Sequence, residues 1–150
     1  TNAPPSRVCV EVGQLAGNAT VEIQCVAATA DSAKEVVPVP GWPQVAHVPL
    51  SMVTKLNGMV YPSGMQGLNM STMKLVPGGV GPETTQTLAN IQEALKAAGT
   101  DLDLVLGCEV SLTRIEDFSE MNAAYAAAFG RGGRLGGLPS RVAVKVAGLA

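Results

Sequence analysis

The 150 residues are enough for one domain built around one substantial core. They are 47% hydrophobic but only 3% aromatic, so the core must be assembled from Val, Leu, Ala and Met, and stacking platforms for bases are scarce. Ten basic against twelve acidic residues give a formal net charge of −2, which offers no cationic footprint to nucleic acid or to an anionic membrane.

No apolar run approaches the ~18 residues of a membrane-spanning helix, so neither nucleic acid nor membrane is an expected partner. Cys9, Cys25 and Cys108 form no CxxC pair and have no companion histidines, which argues against a disulfide framework and a zinc site. They are expected to be buried free thiols, which fits a reducing compartment, either the cytoplasm or an organelle interior.

The chain opens on a segment that it later repeats. Pro5-Ser6-Arg7-Val8-Cys9-Val10-Glu11-Val12-Gly13-Gln14-Leu15-Ala16 returns as Pro139-Ser140-Arg141-Val142-Ala143-Val144-Lys145-Val146-Ala147-Gly148-Leu149-Ala150, with eight of twelve positions identical at an offset of 134. Both copies alternate Val with smaller or polar residues, the period-2 pattern of a strand with one buried face. After the first copy, a turn over residues 13–18 and the alternating segment Thr20-Val21-Glu22-Ile23-Gln24-Cys25-Val26 predict a hairpin. Residues 1–27 are therefore expected to be the C-terminal hairpin of a preceding or permuted module. Residues 28–45, with Pro38, Pro40, Gly41 and Pro43, read as a linker, and residues 46–150 as a second module lacking its last strand. Trp42, set among these prolines, should pin the linker to the module.

Asn57-Gly58 between two apolar runs predicts a tight hairpin over residues 51–63, since both turn positions favour φ > 0. A glycine-bearing loop leads to Pro82 in the first turn of a helix, whose stripe Leu88, Ile91 and Leu95 ends at Gly99. Residues 102–112 read as a central strand. Ile115, Phe118, Met121, Tyr125 and Ala128 then recur at helical spacing, with Glu116, Asp117 and Glu120 near the positive N-terminal end. The loop at residues 130–137 fails the GxGxxG spacing and lacks the strand-then-helix setting of a phosphate loop. The order ββ, helix, β, helix, β describes an α+β sandwich, a mixed sheet with two helices on one face.

Asn57-Gly58-Met59-Val60-Tyr61-Pro62-Ser63-Gly64, Thr85-Gln86-Thr87-Leu88-Ala89-Asn90-Ile91, Ala97-Ala98-Gly99, Asp117-Phe118, Met121-Asn122-Ala123-Ala124-Tyr125 and Pro139-Ser140-Arg141 follow one another in the order and spacing of a known family. The chain resembles the Rid/YjgF family, also called the L-PSP endoribonuclease family, over residues 46–150 and, as a separate piece, residues 4–27. The resemblance implies a chorismate-mutase-like fold assembled as a homotrimer or pseudo-trimer with ligand clefts between modules. It also implies hydrolysis of 2-imino or enamine acids to 2-keto acids and ammonia, with no metal or organic cofactor.

By that resemblance the candidate catalytic residues are Arg7 and Arg141, whose guanidinium fork suits a substrate carboxylate, and Glu22, which would handle water. Ser63, Gly64 and Asn122 match cleft residues. Cys9 does too, but Ala143 replaces it in the second copy, so the thiol is not expected to be essential. The family's usual cleft tyrosine is Leu50 here, leaving one polar handle fewer. His47, the only histidine, has no partner motif and reads as structural. Two functions remain open: an imine deaminase, towards which the retained polar residues lean, or a non-catalytic assembly or small-carboxylate-binding module, which Leu50 favours. A ribonuclease is disfavoured by the acidic balance and few aromatics.

Overall fold

The structure is a computed structural model that describes residues 3–29, 31–43, 48–130 and 137–150. In chain order its elements are β1 (Val10–Glu11), a 3-10 turn at Ala16–Asn18, β2 (Glu35–Val36), β3 (Val53–Leu56), β4 (Met59–Pro62), β5 (Leu68–Asn69) and β6 (Lys74–Leu75). There follow α1 (Val80–Ala97), a 3-10 turn at Leu102–Leu104, β7 (Gly107–Leu112), a 3-10 turn at Ile115–Asp117, α2 (Phe118–Phe129), β8 (Ser140–Lys145) and β9 (Gly148–Leu149). The fold is α+β with both strand senses: β2, β3 and β4 form an antiparallel sheet, whereas β7 and β8 pair in parallel.

The β3–β4 hairpin forms as its turn demands. Asn57 and Gly58 take φ of 49° and 77°, the two left-handed positions whose twist matches that of the flanking strands. Val53 is fully buried and packs with Val37, Val39, Ala94 and Ala98 in one core cluster. Val37 and Val39 fall in the stretch expected to be a linker, and that expectation is corrected. Val alternates with proline over residues 37–40, so both buried valines point to the same side, while β2 pairs with β3 and the Val37 N–H donates to the Val53 carbonyl at 3.0 Å. Trp42 does pin this stretch: it packs on the cluster and its Nε1 donates to Glu93 at 3.0 Å.

The first helix stops where the sequence indicates. Gly99 sits at φ 83°, its N–H bonds to the Lys96 carbonyl, and the Thr100 N–H bonds to the Leu95 carbonyl, a Schellman closure that satisfies the last carbonyls. Met121, Tyr125 and Phe129 of α2 recur every four residues and bury one face with Leu88 and Leu112 in a second cluster. Both helices cover one side of the sheets. On the other side Val36, Met59, Tyr61, Val142 and Val144 remain exposed.

Three further expectations are corrected. Only Gly107–Leu112 of the predicted strand over residues 102–112 is a strand: Asp101 accepts from the Asp103 N–H at 3.0 Å and turns the chain at Leu102–Leu104. Among the described residues β7 is paired with β8 alone, so it is not central. The N-terminal hairpin does not form. Val10–Glu11 pairs antiparallel with Gly148–Leu149, bringing the two repeat copies side by side, but residues 20–26 meet no strand edge among the described residues and stay exposed, with Ile23 at 77% and Val26 at 90%. A strand cannot persist as such without an edge to satisfy its N–H and C=O groups. Cys25 on this segment is exposed, as is Cys9 before β1, so neither is the buried thiol expected, while Cys108 is half-buried. His47 and residues 131–136 of the glycine-rich loop lie outside the described residues.

The second cluster turns on Met121, only 1% exposed. Met121→Ala should lower unfolding free energy by about 2–5 kcal/mol, read from denaturant midpoints at unchanged slope. A midpoint equal to that of the parent would contradict this packing.

Candidate functional site

The candidate site residues fall in two places, and the first is the end of the β3–β4 hairpin. Residues 4–8 run across it as an extended strap. Pro4 and Pro5 have no N–H to donate, so the strap offers carbonyls here: Pro5 accepts from the Ser51 N–H at 2.9 Å and Pro4 from the Ser51 hydroxyl at 2.6 Å. The Ser6 and Thr54 hydroxyls lie 3.3 Å apart. The Arg7 N–H donates to Ser63 Oγ at 2.8 Å, the Ser63 hydroxyl donates to the Ser51 carbonyl at 2.8 Å, and the Gly64 N–H donates to the Arg7 carbonyl at 3.1 Å. Ser51, Thr54 and Ser63 are all buried. Gly64 lies close under Val8: a Cβ there would stand 3.3 Å from both Val8 methyls, so a larger residue would have to push that side chain aside.

Leu50 is half-buried and directly precedes Ser51, so it flanks this junction. Arg7 and Cys9 project from the strap and are exposed. The two ion pairs among the described residues, Lys55 with Glu35 and Arg114 with Asp117, leave the Arg7 guanidinium uncommitted.

Arg141 occupies the second place. It stands opposite Cys108 in the parallel β7–β8 register, on the side that faces α2, with its guanidinium carbon 4.6 Å from the Tyr125 ring centre and 5.7 Å from that of Phe118. Asn122, half-buried, lies one turn from each of those rings and shares their helix face. The buried Tyr125 hydroxyl has no hydrogen-bond partner among the described residues. Burial holds its pKa well above the ordinary tyrosine range, the neighbouring Cys108 thiol adds to the shift, and the Arg141 charge opposes it.

The structure thus gathers Arg7, Ser63, Gly64 and Leu50 at one junction and Arg141 with Asn122 at another. Glu22 is on the exposed segment after β1 and takes part in none of the contacts that build either junction. Ser51, Phe118 and Tyr125 were not foreseen as site residues. The two aromatics could be read from helical spacing only as core, because nothing in that spacing shows that a cation stacks on them. No group of three or more His, Cys, Asp or Glu suited to a metal occurs among the described residues, and no helix there is long and apolar enough to cross a membrane.

Residues 43–150 match the family model described as endoribonuclease L-PSP. The chain belongs to this family, the Rid/YjgF proteins. The 2-iminobutanoate/2-iminopropanoate deaminase of Mus musculus is 41% identical over 101 residues, covering 67% of this chain and 71% of the relative. Its namesake in Rattus norvegicus is 40% identical over 99 residues, covering 66% and 69%. Among solved structures, a protein of the conserved Rid family from Yersinia pestis superposes with a TM-score of 0.70 at 32% identity, covering 78% of this chain and 89% of its own. The expected α+β Rid/YjgF fold is therefore the observed one.

Tyr125 ties this family member's stability to alkaline pH. An acid group whose pKa is raised on folding stabilises the fold fully below its unfolded value, 10.0 here, and that contribution is lost as pH rises past it, since the unfolded chain then releases a proton that the folded chain keeps. Denaturant midpoints measured between about pH 9 and 11 should fall with a slope of at most about 1.4 kcal/mol per pH unit from this group, and Tyr125→Phe should remove that slope. An identical pH profile for the variant would refute the assignment. At neutral pH the variant should lose little, because the hydroxyl it removes has no partner.

Proposed function

We propose that this chain is a hydrolase that deaminates small 2-imino acids to 2-keto acids and ammonia. Its similarity to the mouse relative, named 2-iminobutanoate/2-iminopropanoate deaminase, over two thirds of the chain carries the proposal. Water adds to the carbon of the protonated C=N bond to give a carbinolamine. The C–N bond then breaks, nitrogen leaves as ammonia, and the oxygen becomes the ketone. The protein's tasks are to hold the carboxylate and to manage the proton of the attacking water. A guanidinium of the Pro-Ser-Arg motif suits the first, because its fork matches a carboxylate. Glu22 suits the second, as the repeat-linked carboxylate that the family resemblance assigns to water.

Glu22 lies apart from both arginines within one chain, so this mechanism needs its segment to reach a cleft shared between modules. The uncovered sheet face with Val36, Met59, Tyr61, Val142 and Val144 supports such an assembly, a homotrimer or pseudo-trimer in which three sheets cover one another. Light scattering at micromolar concentration should return a mass near three chains, or a threefold arrangement of repeats, and a stable monomer would count against it.

A second reading, a non-catalytic module that binds small carboxylates, is favoured by Leu50, which leaves the Ser51 junction without the hydroxyl that its relatives' motif carries. Glu22→Gln separates the two. The enzyme reading expects imine hydrolysis, followed by semicarbazide trapping, to fall by a factor of ~10² or more while 2-oxobutanoate binding stays nearly intact. If the parent chain binds 2-oxobutanoate without accelerating hydrolysis, the binding-module reading replaces it. Activity appearing only in Leu50→Tyr would identify the missing hydroxyl as the cause.

A further inference from the structure

Residues 20–26 carry the alternation of a strand yet are exposed throughout, with Val21 at 67%, Ile23 at 77% and Val26 at 90%. The sheets beneath the helices have the complementary need. Among the described residues β4 ends one sheet and β7 ends another, and neither outer edge is paired. Val60 of β4 packs on the cluster that holds Ala94 and Ala98, while Cys108 and Val110 of β7 pack on the cluster that holds Leu88. Both strands therefore turn their inward sides to α1 and its C-cap, as members of one layer would, but they do not bond to each other. A strand set between them would gain backbone partners on both sides, whereas the outer edges of β2 and β8 offer partners on one side only.

We propose that residues 20–26 of one copy of the chain enter the gap between β4 and β7 of a second copy, antiparallel to β7, with Ile23 opposite Val110. In the single chain the segment and the gap both lack a partner, and the flanks of the segment are held elsewhere. Glu11 pairs with Gly148, and Lys34 donates to the Ala3 and Pro4 carbonyls at 2.6 Å and 3.3 Å. Side-chain chemistry selects the register. Val21, Ile23 and Cys25 share one side of the segment and face the helices, opposite Leu112, Val110 and Cys108 in turn. On the other side Gln24 falls opposite Glu109 and Glu22 opposite Ser111. A parallel strand centred on the same pair would set Glu22 against Glu109, as would an antiparallel strand slipped by one pleat, and like charges directly opposite are destabilising. Slipped the other way, Val21 would pass beyond the end of β7 at Leu112. The exchange goes beyond the hydrolytic reading and does not rest on it. It also sets Glu22 on the open side of the second copy's sheet, the side on which Tyr61 is exposed.

Cys25 and Cys108 report this arrangement, because directly opposed residues of antiparallel strands hold their Cβ atoms about 4.5–5.5 Å apart. Dibromobimane joins two such sulfurs: each thiol loses its proton and displaces one bromide, forming one C–S bond. In a Cys9→Ala background, full chains carrying Cys25→Ser are co-expressed with full chains carrying Cys108→Ser under different tags and then treated with the reagent. Denaturing gels should show the two variants linked to each other, and neither variant expressed alone should form linked pairs. No link between the two variants, coupling confined within single chains of the parent, or linked pairs from either variant alone would overturn the proposal. A second measurement reads assembly by light scattering. Ile23→Asp should raise the concentration for half-assembly roughly tenfold or more, with the circular dichroism of the chain unchanged because Ile23 is exposed within it. Gln24→Glu should raise it about two- to fivefold by setting a second carboxylate opposite Glu109, and Glu109→Gln should reverse that loss. Assembly of Ile23→Asp at the parent's concentration would refute the exchange, and the same result for Gln24→Glu would refute the register.

Discussion

The Ser63 hydroxyl joins the N-terminal strap to the β3–β4 hairpin, and the first candidate junction depends on it. It is buried, accepts from the Arg7 N–H and donates to the Ser51 carbonyl, so both of its hydrogen-bonding roles are filled by backbone. A hydroxyl is well suited to this place because it can accept and donate at once. Alanine would leave the partly buried Arg7 N–H and the buried Ser51 carbonyl to find other partners. Through this one atom the strap over residues 4–8 meets both strands of the hairpin, and Gly64 and Ser51 complete the contact on either side.

The rest of the fold serves to hold that hairpin end and the β7–β8 pair in place with few large rings. Two clusters share the work: α1 and its C-cap contribute Ala94 and Ala98 to the one around Val53, and α1 contributes Leu88 to the one around Met121. Small residues along α1 let it sit close to the β3–β4 sheet, while the bulkier Met121, Tyr125 and Phe129 fill the space beneath α2. Tyr125 and Phe129 lie with ring centres 4.5 Å apart, and Arg141 stacks on the Tyr125 ring, so the few aromatics present are concentrated at one seam. A polar hydroxyl buried at that seam without a partner is a local cost set against the packing of its ring.

The chemistry proposed for the chain divides along the same lines as the structure. Carboxylate capture needs a pre-set guanidinium, and the two sites where the motif occurs offer different ones, one free at a strand junction and one engaged with a helix. Water handling needs a carboxylate, and Glu22 sits on a segment with apolar residues exposed on its other side, such as Val21 and Ile23. Such a segment gains stability only against another sheet edge. In the proposed mechanism capture and turnover are therefore separate steps resting on separate residues, and a site that holds carboxylate need not be one that hydrolyses an imine.

Much of the fold was legible because it rests on local rules. Asn57-Gly58 specifies a hairpin by its left-handed turn, Gly99 ends α1, and the four-residue recurrence of Met121, Tyr125 and Phe129 marks the buried face of α2. The motif order was enough to recognise the family, and the repeat was enough to single out Arg7 and Arg141. Tertiary structure decided what local rules leave open. Val37 and Val39 read as linker because proline masks their alternation, and became core only once β3 lay beside them. Residues 20–26 have a strand's pattern but no partner, and a strand is defined by the edge it meets as much as by its side chains. The same Pro-Ser-Arg sequence yields a free cation where its backbone meets Ser63 and a stacked one where its side chain meets Tyr125. Sequence fixes which residues a chain can offer, but the role of a side chain is set by neighbours that are distant along the chain, and only folding chooses those.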